Sequence, residues 1–355
     1  MDGYSLTFPP KPTSKLMKLT VALDWTPNTN HSGLYVALSQ GLYEAAGLEV
    51  ILQTPESAGS GGLTPNACEC KGLSASKQVA TGLAHFGVCP QESVVSYSTT
   101  DKWRHVDLVA VAALCQGHMS SISVLASSGI ARPRDLANGS YASYGARFED
   151  AIVRRLVEND GGDGAKMECR PVLLKNNDNE VTGLEITGSV VATHLAKGLA
   201  DAAWIFPHWE GVLASRADQA LNHFHFKDYN MLHGYCPILI ASRGTADTPY
   251  ARAFLKATAE GYKIAAADPA AAARALGETG HPSLADKEFV LASAESIKGC
   301  YLDQEGRWGR IERGRWKEFV DFMDEAKVLV DREGKAIGRD KVDADRLFTN
   351  KALPE

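Results

Sequence analysis

No run of residues in this chain is apolar for the roughly 20 positions that a membrane-spanning helix requires. The longest runs, such as Val106 to Leu114, are strand-sized, so no membrane span is expected. The start, MDGYSLTFPPKPTSKLMKLT, lacks an apolar stretch behind a basic segment. It therefore does not read as a secretory signal, and Pro9, Pro10 and Pro12 read as an extended arm. A cytoplasmic location is the expectation that follows. Charge of one sign is also scarce, with a net charge of -6 and the signs mixed along the chain. No basic face is available to neutralise phosphates, which excludes nucleic acid as an expected partner. Cysteines number 7, an odd and scattered count in a chain large enough to need no staples, so reduced thiols fit better than a disulfide framework. Nothing marks a protein partner or an oligomeric state.

Signatures of catalysis and metal binding are equally sparse. Gly59-Ser-Gly-Gly62 lacks the Lys-Ser/Thr of a phosphate loop and the spacing of a dinucleotide site. No Gly-x-Ser-x-Gly elbow lies in or near Gly145-Ala-Arg-Phe-Glu149. Cys68-Glu-Cys70 has no second pair at ligand spacing, so no metal site is expected and no catalytic residue is assigned. His208, His223, His225 and His233 lie close in sequence. On a strand His223 and His225 would share one face and approach a metal together, against the plainer reading of a solvated or packed pair.

What is present is ordinary globular material: 45% hydrophobic and 23% charged residues in 355 positions, which suits two domains of common size. Short β-rich runs alternate with helical stretches through roughly the first two thirds, the pattern of parallel sheets covered by helices on both faces. The fold class is α/β. A strand at Lys18 to Asp24 ends in the loop Trp25-Thr-Pro-Asn-Thr-Asn-His31, and Leu34 to Ala46 has helical spacing closed by Gly47 before a strand at Leu48 to Gln53. Thr54 to Ser76 is a Gly, Pro and Ser-rich loop. Further strands are expected at Ala84 to Cys89, Leu108 to Ala113 and Ser121 to Ala126, the last leaving the first lobe. The second lobe then holds Tyr141 to Tyr144, a helix at Phe148 to Asn159, Arg170 to Lys175, a helix near Val190 to Lys197, Asp201 to Phe206 and Asn222 to Phe226. Cys236 to Ser242 returns the chain, and Pro249 and Pro269 mark helix starts. The division expected is an extended arm over 1–17, one lobe from 18–122 with 239–355, and the other from 123–238.

Ligands in open α/β sheets collect beyond the carboxyl ends of the strands. Four strand ends here present polar and aromatic groups together: Asp24, Trp25, Asn28, Asn30 and His31; Gln91-Glu92-Ser93; Gly145, Arg147 and Glu149 after Tyr144; and Phe206, Pro207, His208, Trp209 and Glu210. Aromatic faces supply stacking and carboxylates or amides hydrogen-bond an amidine edge in pairs, a set suited to a small planar aminated ring. Sugars would use similar groups. Each residue has a structural alternative: Asp24 and Asn28 as helix caps, Trp25, Trp204 and Trp209 as packing, Glu149 as a helix N-terminal carboxylate, His31 as a satisfied buried histidine.

The stretch Leu23-Asp-Trp-Thr-Pro-Asn-Thr-Asn-His-Ser-Gly-Leu-Tyr35, with Gly41-Leu-Tyr43 and Gly47-Leu-Glu-Val50, resembles the opening of the bacterial formylaminopyrimidine-binding proteins of thiamine-precursor salvage. Phe86-Gly-Val-Cys-Pro-Gln-Glu-Ser93, Tyr144-Gly-x-x-x-Glu149, Ala203-Trp-Ile-Phe206 with Trp209 and Gly211, Lys227-Asp-Tyr229 and Pro237-Ile-Leu-Ile240 continue the pattern in the same order. The resemblance implies a two-lobed, type II periplasmic-binding-protein-like fold with a small-molecule aminopyrimidine in the interlobe cleft. Carried over, the contacts are Asp24, Trp25, Asn28, Gln91, Glu92, Tyr144, Glu149, Trp204 and Tyr235. His31, Gly145, Phe206 and Trp209 join them from the strand-end loops. The chain is similar, more loosely, to fungal enzymes of the same fold that make the thiamine pyrimidine phosphate from pyridoxal phosphate and their own histidine, with iron. Cys89 and Ser93 stand where those enzymes carry a lysine and a histidine, and near Leu232-His-Gly-Tyr-Cys236 only the final cysteine of their iron motif is kept. Pyridoxal phosphate and iron are expected only under that alternative. A binding protein for another flat or sulfonated nutrient is the third reading.

Overall fold

A computed structural model describes residues 15–55, 73–100, 102, 105–172, 174–175, 181–183, 189–231, 234–331 and 335–355. Most of the N-terminal arm, most of the Thr54 to Ser76 loop with its Cys68-Glu-Cys70 pair, and His233 lie outside these residues.

The strands in chain order are β1 (Met17–Ala22), β2 (Leu48–Gln53), β3 (Phe86–Cys89), β4 (Leu108–Ala113), β5 (Ser121–Leu125), β6 (Ser140–Ser143), β7 (Glu168–Pro171), β8 (Leu174–Lys175), β9 (Val181–Gly183), β10 (Ala202–Ile205), β11 (Leu221–Phe224) and β12 (Ile238–Ser242). They form two five-stranded sheets, of order β2-β1-β3-β12-β4 and β11-β5-β10-β6-β7, with β8 and β9 as a separate pair. β4, Leu-Val-Ala-Val-Ala-Ala, is buried at every position, as a central strand covered on both faces must be.

The sheets are mixed, where the alternation of elements suggests parallel ones. β1 runs parallel to β2 and β3, but β12 is antiparallel to both β3 and β4. In the second sheet β5 is antiparallel to β10 and β11. The reason is topological: β5 and β12 carry the chain across from the other lobe, so each enters its new sheet from the end at which its neighbours finish.

Among the described residues before the first crossing lie the helices α1 (Ser32–Ser39), α2 (Leu42–Ala45), α3 (Ala75–Ala80) and α4 (Gln91–Ser98). The single helix expected over Leu34 to Ala46 is broken between α1 and α2 by Gly41, whose φ of +68° is a left-handed conformation that interrupts the helical ladder. The strand expected over Arg170 to Lys175 divides into β7 and β8, and the helix near Val190 is a π-helical turn, Val191–Leu195. The proline starts hold. Pro249 and Pro269 each take the first helical position, behind Thr248 and Asp268, which accept from Ala251 N at 3.2 Å and Ala271 N at 2.9 Å.

α1 meets the Pro249–Ala267 helix backbone to backbone. A Cβ on Gly33 would stand 2.1 Å from the Tyr262 ring, and one on Gly261 would stand 2.1 Å from Gly33 O. Between that helix and the first sheet, Phe254 stacks on Phe86 with centroids 4.4 Å apart. The Arg313–Glu325 helix buries Trp316, Phe319, Val320 and Met323, the i, i+3, i+4, i+7 stripe of an amphipathic helix.

Candidate functional site

Each loop that follows a strand in the direction of the other lobe brings part of the site. After β1 the chain turns through Asp24 and Trp25 into a single 3-10 turn, Thr29–His31. Asn28 caps that turn: its Oδ1 accepts from Asn30 N at 2.8 Å and its Nδ2 donates to Thr26 O at 3.0 Å, so both ends of the side chain hold the loop. His31 is fully buried with Nε2 3.0 Å from Asp24 Oδ1, while its Nδ1 has no partner among the described residues. Asn30 Oδ1 is likewise buried without a partner.

β3 ends at Cys89, and α4 begins with Gln91 and Glu92. Gln91 Oε1 accepts from Tyr235 N at 2.7 Å, and Gln91 N donates to Tyr235 O at 3.2 Å. Tyr235 is buried, its hydroxyl accepts from Glu312 N at 3.0 Å, and the Arg315 guanidinium lies 4.0 Å over its ring. Gln91 and Tyr235 thus clamp α4 to the returning chain. Glu92 differs. It is buried, its Oε2 has no partner, and burial first, then the charge of Glu149, pushes its carboxyl up to about 7.

From the second lobe, β6 delivers Tyr144 to the cleft. Gly145, at φ +73°, makes the turn that only a residue without a Cβ adopts freely, and the chain then enters the Glu149–Asn159 helix. Glu149 folds back over this turn. It accepts from Tyr141 Oη at 2.5 Å, Tyr144 N at 3.0 Å and Ala146 N at 3.0 Å. Burial nevertheless holds its carboxyl above the usual range against those three bonds. The Trp25 ring meets Tyr144 edge to face at 6.0 Å, a direct contact across the cleft. Tyr144 Oη donates to Trp204 O at 3.4 Å, and Trp204 rests on Phe226 at 4.8 Å.

β10 ends in the π-helical turn Pro207–Gly211, a local irregularity common at functional sites. Phe206 N donates to Glu210 Oε2 at 2.9 Å, and burial raises the Glu210 carboxyl to about 7. Its charge also acts on Tyr144. His208 is buried with Nε2 lacking a partner, and burial alone lowers it to about 3, a neutral imidazole. Trp209 points elsewhere, packing on Phe289 at 4.6 Å in the core of the first lobe.

Of the residues expected from the sequence, then, Trp25 meets Tyr144 across the lobes, Tyr144 reaches Trp204, the charge of Glu149 acts on Glu92, and Asp24 and Glu92 both act on Cys89. Phe206 is tied to Glu210, whose charge acts on Tyr144. Asn28, Gln91, Trp209 and Tyr235 have their side chains engaged by the framework. Glu210 belongs with the first group although the candidate set leaves it out; its place four residues beyond Phe206 in a strand-end loop is the signal that finds it. Tyr141 has no such signal, since it lies within a strand. His223 and His225 lie side by side, with ring centroids 6.1 Å apart, although only His223 falls within the strand. β11 ends at Phe224, and His223 Nδ1 is 2.8 Å from Ser123 Oγ. A cavity of about 230 Å³ lined by Tyr97, Asp107, Lys341 and Arg346 sits at the far end of α4 from Glu92 and takes no part in this arrangement.

Four carboxylates, Asp24, Glu92, Glu149 and Glu210, gather here. Among the described residues no lysine or arginine pairs with any of them. Such a site favours amines and amidines and disfavours anions. At the position matched to the cofactor lysine of the fungal enzymes, burial drives the Cys89 thiol up to about 12, so it offers neither an amine nor a ready thiolate. Among the described residues no three His, Cys, Asp or Glu side chains are grouped to hold a metal ion. The described residues therefore offer neither a Schiff-base lysine at that position nor a grouped set of ligands for iron.

Two mixed sheets of this order, joined by two crossings and with polar loops meeting between them, define a two-lobed, type II periplasmic-binding-protein fold with a small-molecule site. Residues 28–272 match the family model described as NMT1/THI5 like, and the chain belongs to that family. It is 23% identical over 316 residues to the formylaminopyrimidine-binding protein of Halalkalibacterium halodurans, covering 87% of this chain and 85% of that one. Among solved structures it superposes on the alkanesulfonate-binding protein SsuA of Xanthomonas axonopodis pv. citri bound to MOPS, with TM-score 0.62, 12% identity and coverage of 95% and 99%. It also superposes on a Candida albicans protein described as exhibiting the generic periplasmic binding protein structural fold, with TM-score 0.58, 12% identity and coverage of 96% and 98%. These two share the fold. No helix among the described residues is long and apolar enough to cross a membrane.

Proposed function

We propose that the interlobe space binds a small planar aminated heterocycle of the 4-aminopyrimidine class, as part of thiamine-pyrimidine metabolism. The observation that carries this reading is Glu92, a buried carboxyl with an unpartnered oxygen, near Glu149 of the opposite lobe, with no lysine or arginine paired to either among the described residues. A ring amine offers the donor that an ionised carboxylate lacks, the adjacent ring nitrogen accepts from a protonated one, and Trp25 and Tyr144 supply aromatic faces at its flank. The name of the Halalkalibacterium halodurans relative agrees with this chemistry. The sulfonate reading, which the SsuA superposition brings to mind, sits poorly with four carboxylates.

Calorimetric titration with hydroxymethyl-aminopyrimidine, its formylaminomethyl analogue, thiamine, pyridoxal phosphate and an alkanesulfonate tests the assignment. The expected result is micromolar or tighter binding of a pyrimidine with pyridoxal phosphate and the sulfonate silent. Binding of the sulfonate alone would overturn the proposal, and binding of pyridoxal phosphate alone would replace it with the synthase reading.

A further inference from the structure

We infer that Arg147 is the latch that holds the two lobes shut, and is thereby the positioning residue that sets Tyr144 and Glu149 against Glu92. Its guanidinium leaves the second lobe from the turn between β6 and the Glu149–Asn159 helix and ends among first-lobe groups. Nη1 lies 2.9 Å from Ser96 O, 3.0 Å from Ser96 Oγ, 3.2 Å from Thr99 Oγ1 and 3.0 Å from Thr100 Oγ1. Nη2 donates to Val330 O at 2.8 Å. The Nη1 acceptors all stand at the C-terminal end of α4, where unpaired carbonyls and the helix dipole favour a cation. The N-terminal end of the same eight-residue helix carries Glu92. One short rigid element therefore connects the turn that holds Glu149 to the carboxyl that faces it.

Every acceptor named is a neutral carbonyl or hydroxyl, and water can replace each one as the lobes part. Both flanks also bury apolar surface: beside Arg147, Phe148 lies in one buried cluster with first-lobe Val94, Trp316 and Phe319, and the opposite flank is packed too. Trp209 lies on Phe289, Phe206, Val212 and Leu213 pack on the first-lobe core, and Ser293 Oγ donates to His208 O at 2.5 Å. Separating that side would expose aromatic and aliphatic surface to water, which is unfavourable in proportion to its area. The latch depends only on how the lobes meet, and acts on whatever ligand the cleft takes.

Small-angle X-ray scattering and amide hydrogen exchange of the ligand-free full chain test this. The set is wild type, Arg147→Gln, Arg147→Lys, and Arg216→Gln as a control on the opposite flank, where Arg216 bonds Asp286 at 2.9 Å on the surface. Arg147→Gln is expected to enlarge the radius of gyration. It is also expected to speed exchange at the Tyr144 and Ala146 amides by about tenfold, the factor that losing hydrogen bonds from a charged donor implies. Arg147→Lys, which keeps the charge and loses the fork, should fall between, and Arg216→Gln should match wild type. Circular dichroism establishes that each variant is folded, and Arg147→Lys carries the test if Arg147→Gln is not. A folded variant with wild-type scattering overturns the latch. So does faster exchange with an unchanged radius, which would leave Arg147 as a local brace of the turn. No ligand is present in these measurements, so their outcome is separate from whether an aminopyrimidine binds.

Discussion

Glu92→Gln should make the ligand-free protein more stable and the ligand weaker, and the first effect should vanish in acid. Burial and the neighbouring Glu149 raise the Glu92 carboxyl from 4.5 to about 7 in the folded chain. Below the unfolded value both states are protonated and burial costs nothing through this group. As pH rises from 4.5 through 7 the unfolded chain ionises first, so stability is lost across that window and the loss is constant above it. A shift of this size corresponds to about 3 kcal/mol at pH 8 and less than about 1 kcal/mol at pH 5. Glutamine keeps the shape and removes the charge, so it recovers that difference only at the higher pH. For lobes of this size each kcal/mol moves the melting temperature by roughly 2–4 °C. Thermal melts at pH 5 and pH 8 would check it, expecting a gain of several degrees at pH 8 and little at pH 5. Destabilisation at pH 8, or an equal gain at both values, would refute the reasoning. Calorimetry at pH 8 should show the opposite sign for ligand affinity, the exchange of stability for function expected where a charge is held buried for use.

Other perturbations follow from the same geometry. Glu149→Ala should weaken aminopyrimidine binding by about 1–3 kcal/mol, read by calorimetry, as when a buried charged hydrogen bond is left unmade. Tyr141→Phe removes the hydroxyl that favours the ionised form of Glu149, so the pH below which binding fails should move upward in a titration of affinity against pH. Gly33→Ala drives a methyl into the Tyr262 ring and should cost several kcal/mol, about the scale of severe overpacking, in urea denaturation. Gly234→Ala places a Cβ 1.9 Å from Gln91 Oε1, and should lower the denaturation midpoint by breaking the Gln91–Tyr235 clamp.

Strand positions were legible because each is a compact apolar run with polar punctuation. β2 and β4 begin and end where Leu48 to Gln53 and Leu108 to Ala113 suggest. Strand direction was not legible. Nothing local in Ile238 to Ser242 reveals that the chain enters from the other lobe and must run against its neighbours. Residue types in loops exposed the carboxylates of the site, but could not separate those facing the cleft from those facing the framework. Gln91 and Glu92 are adjacent in one helix, and one clamps Tyr235 while the other is left without a partner. That distinction comes from a contact 144 residues away along the chain. The Arg147 contacts with Ser96 and Val330 are hidden for the same reason.

The two crossings between the lobes lie side by side, with Leu114 N donating to Pro237 O at 3.1 Å. Everything from β5 to β11 is consequently a single uninterrupted excursion that leaves and rejoins the first sheet at one place. Such a unit can be exchanged whole without rethreading the rest of the chain, and half of the ligand-facing surface travels with it. Recombination at this junction gives a direct route to new ligand preferences, provided the incoming unit keeps a counterpart of Trp209, which packs in the core of the first lobe.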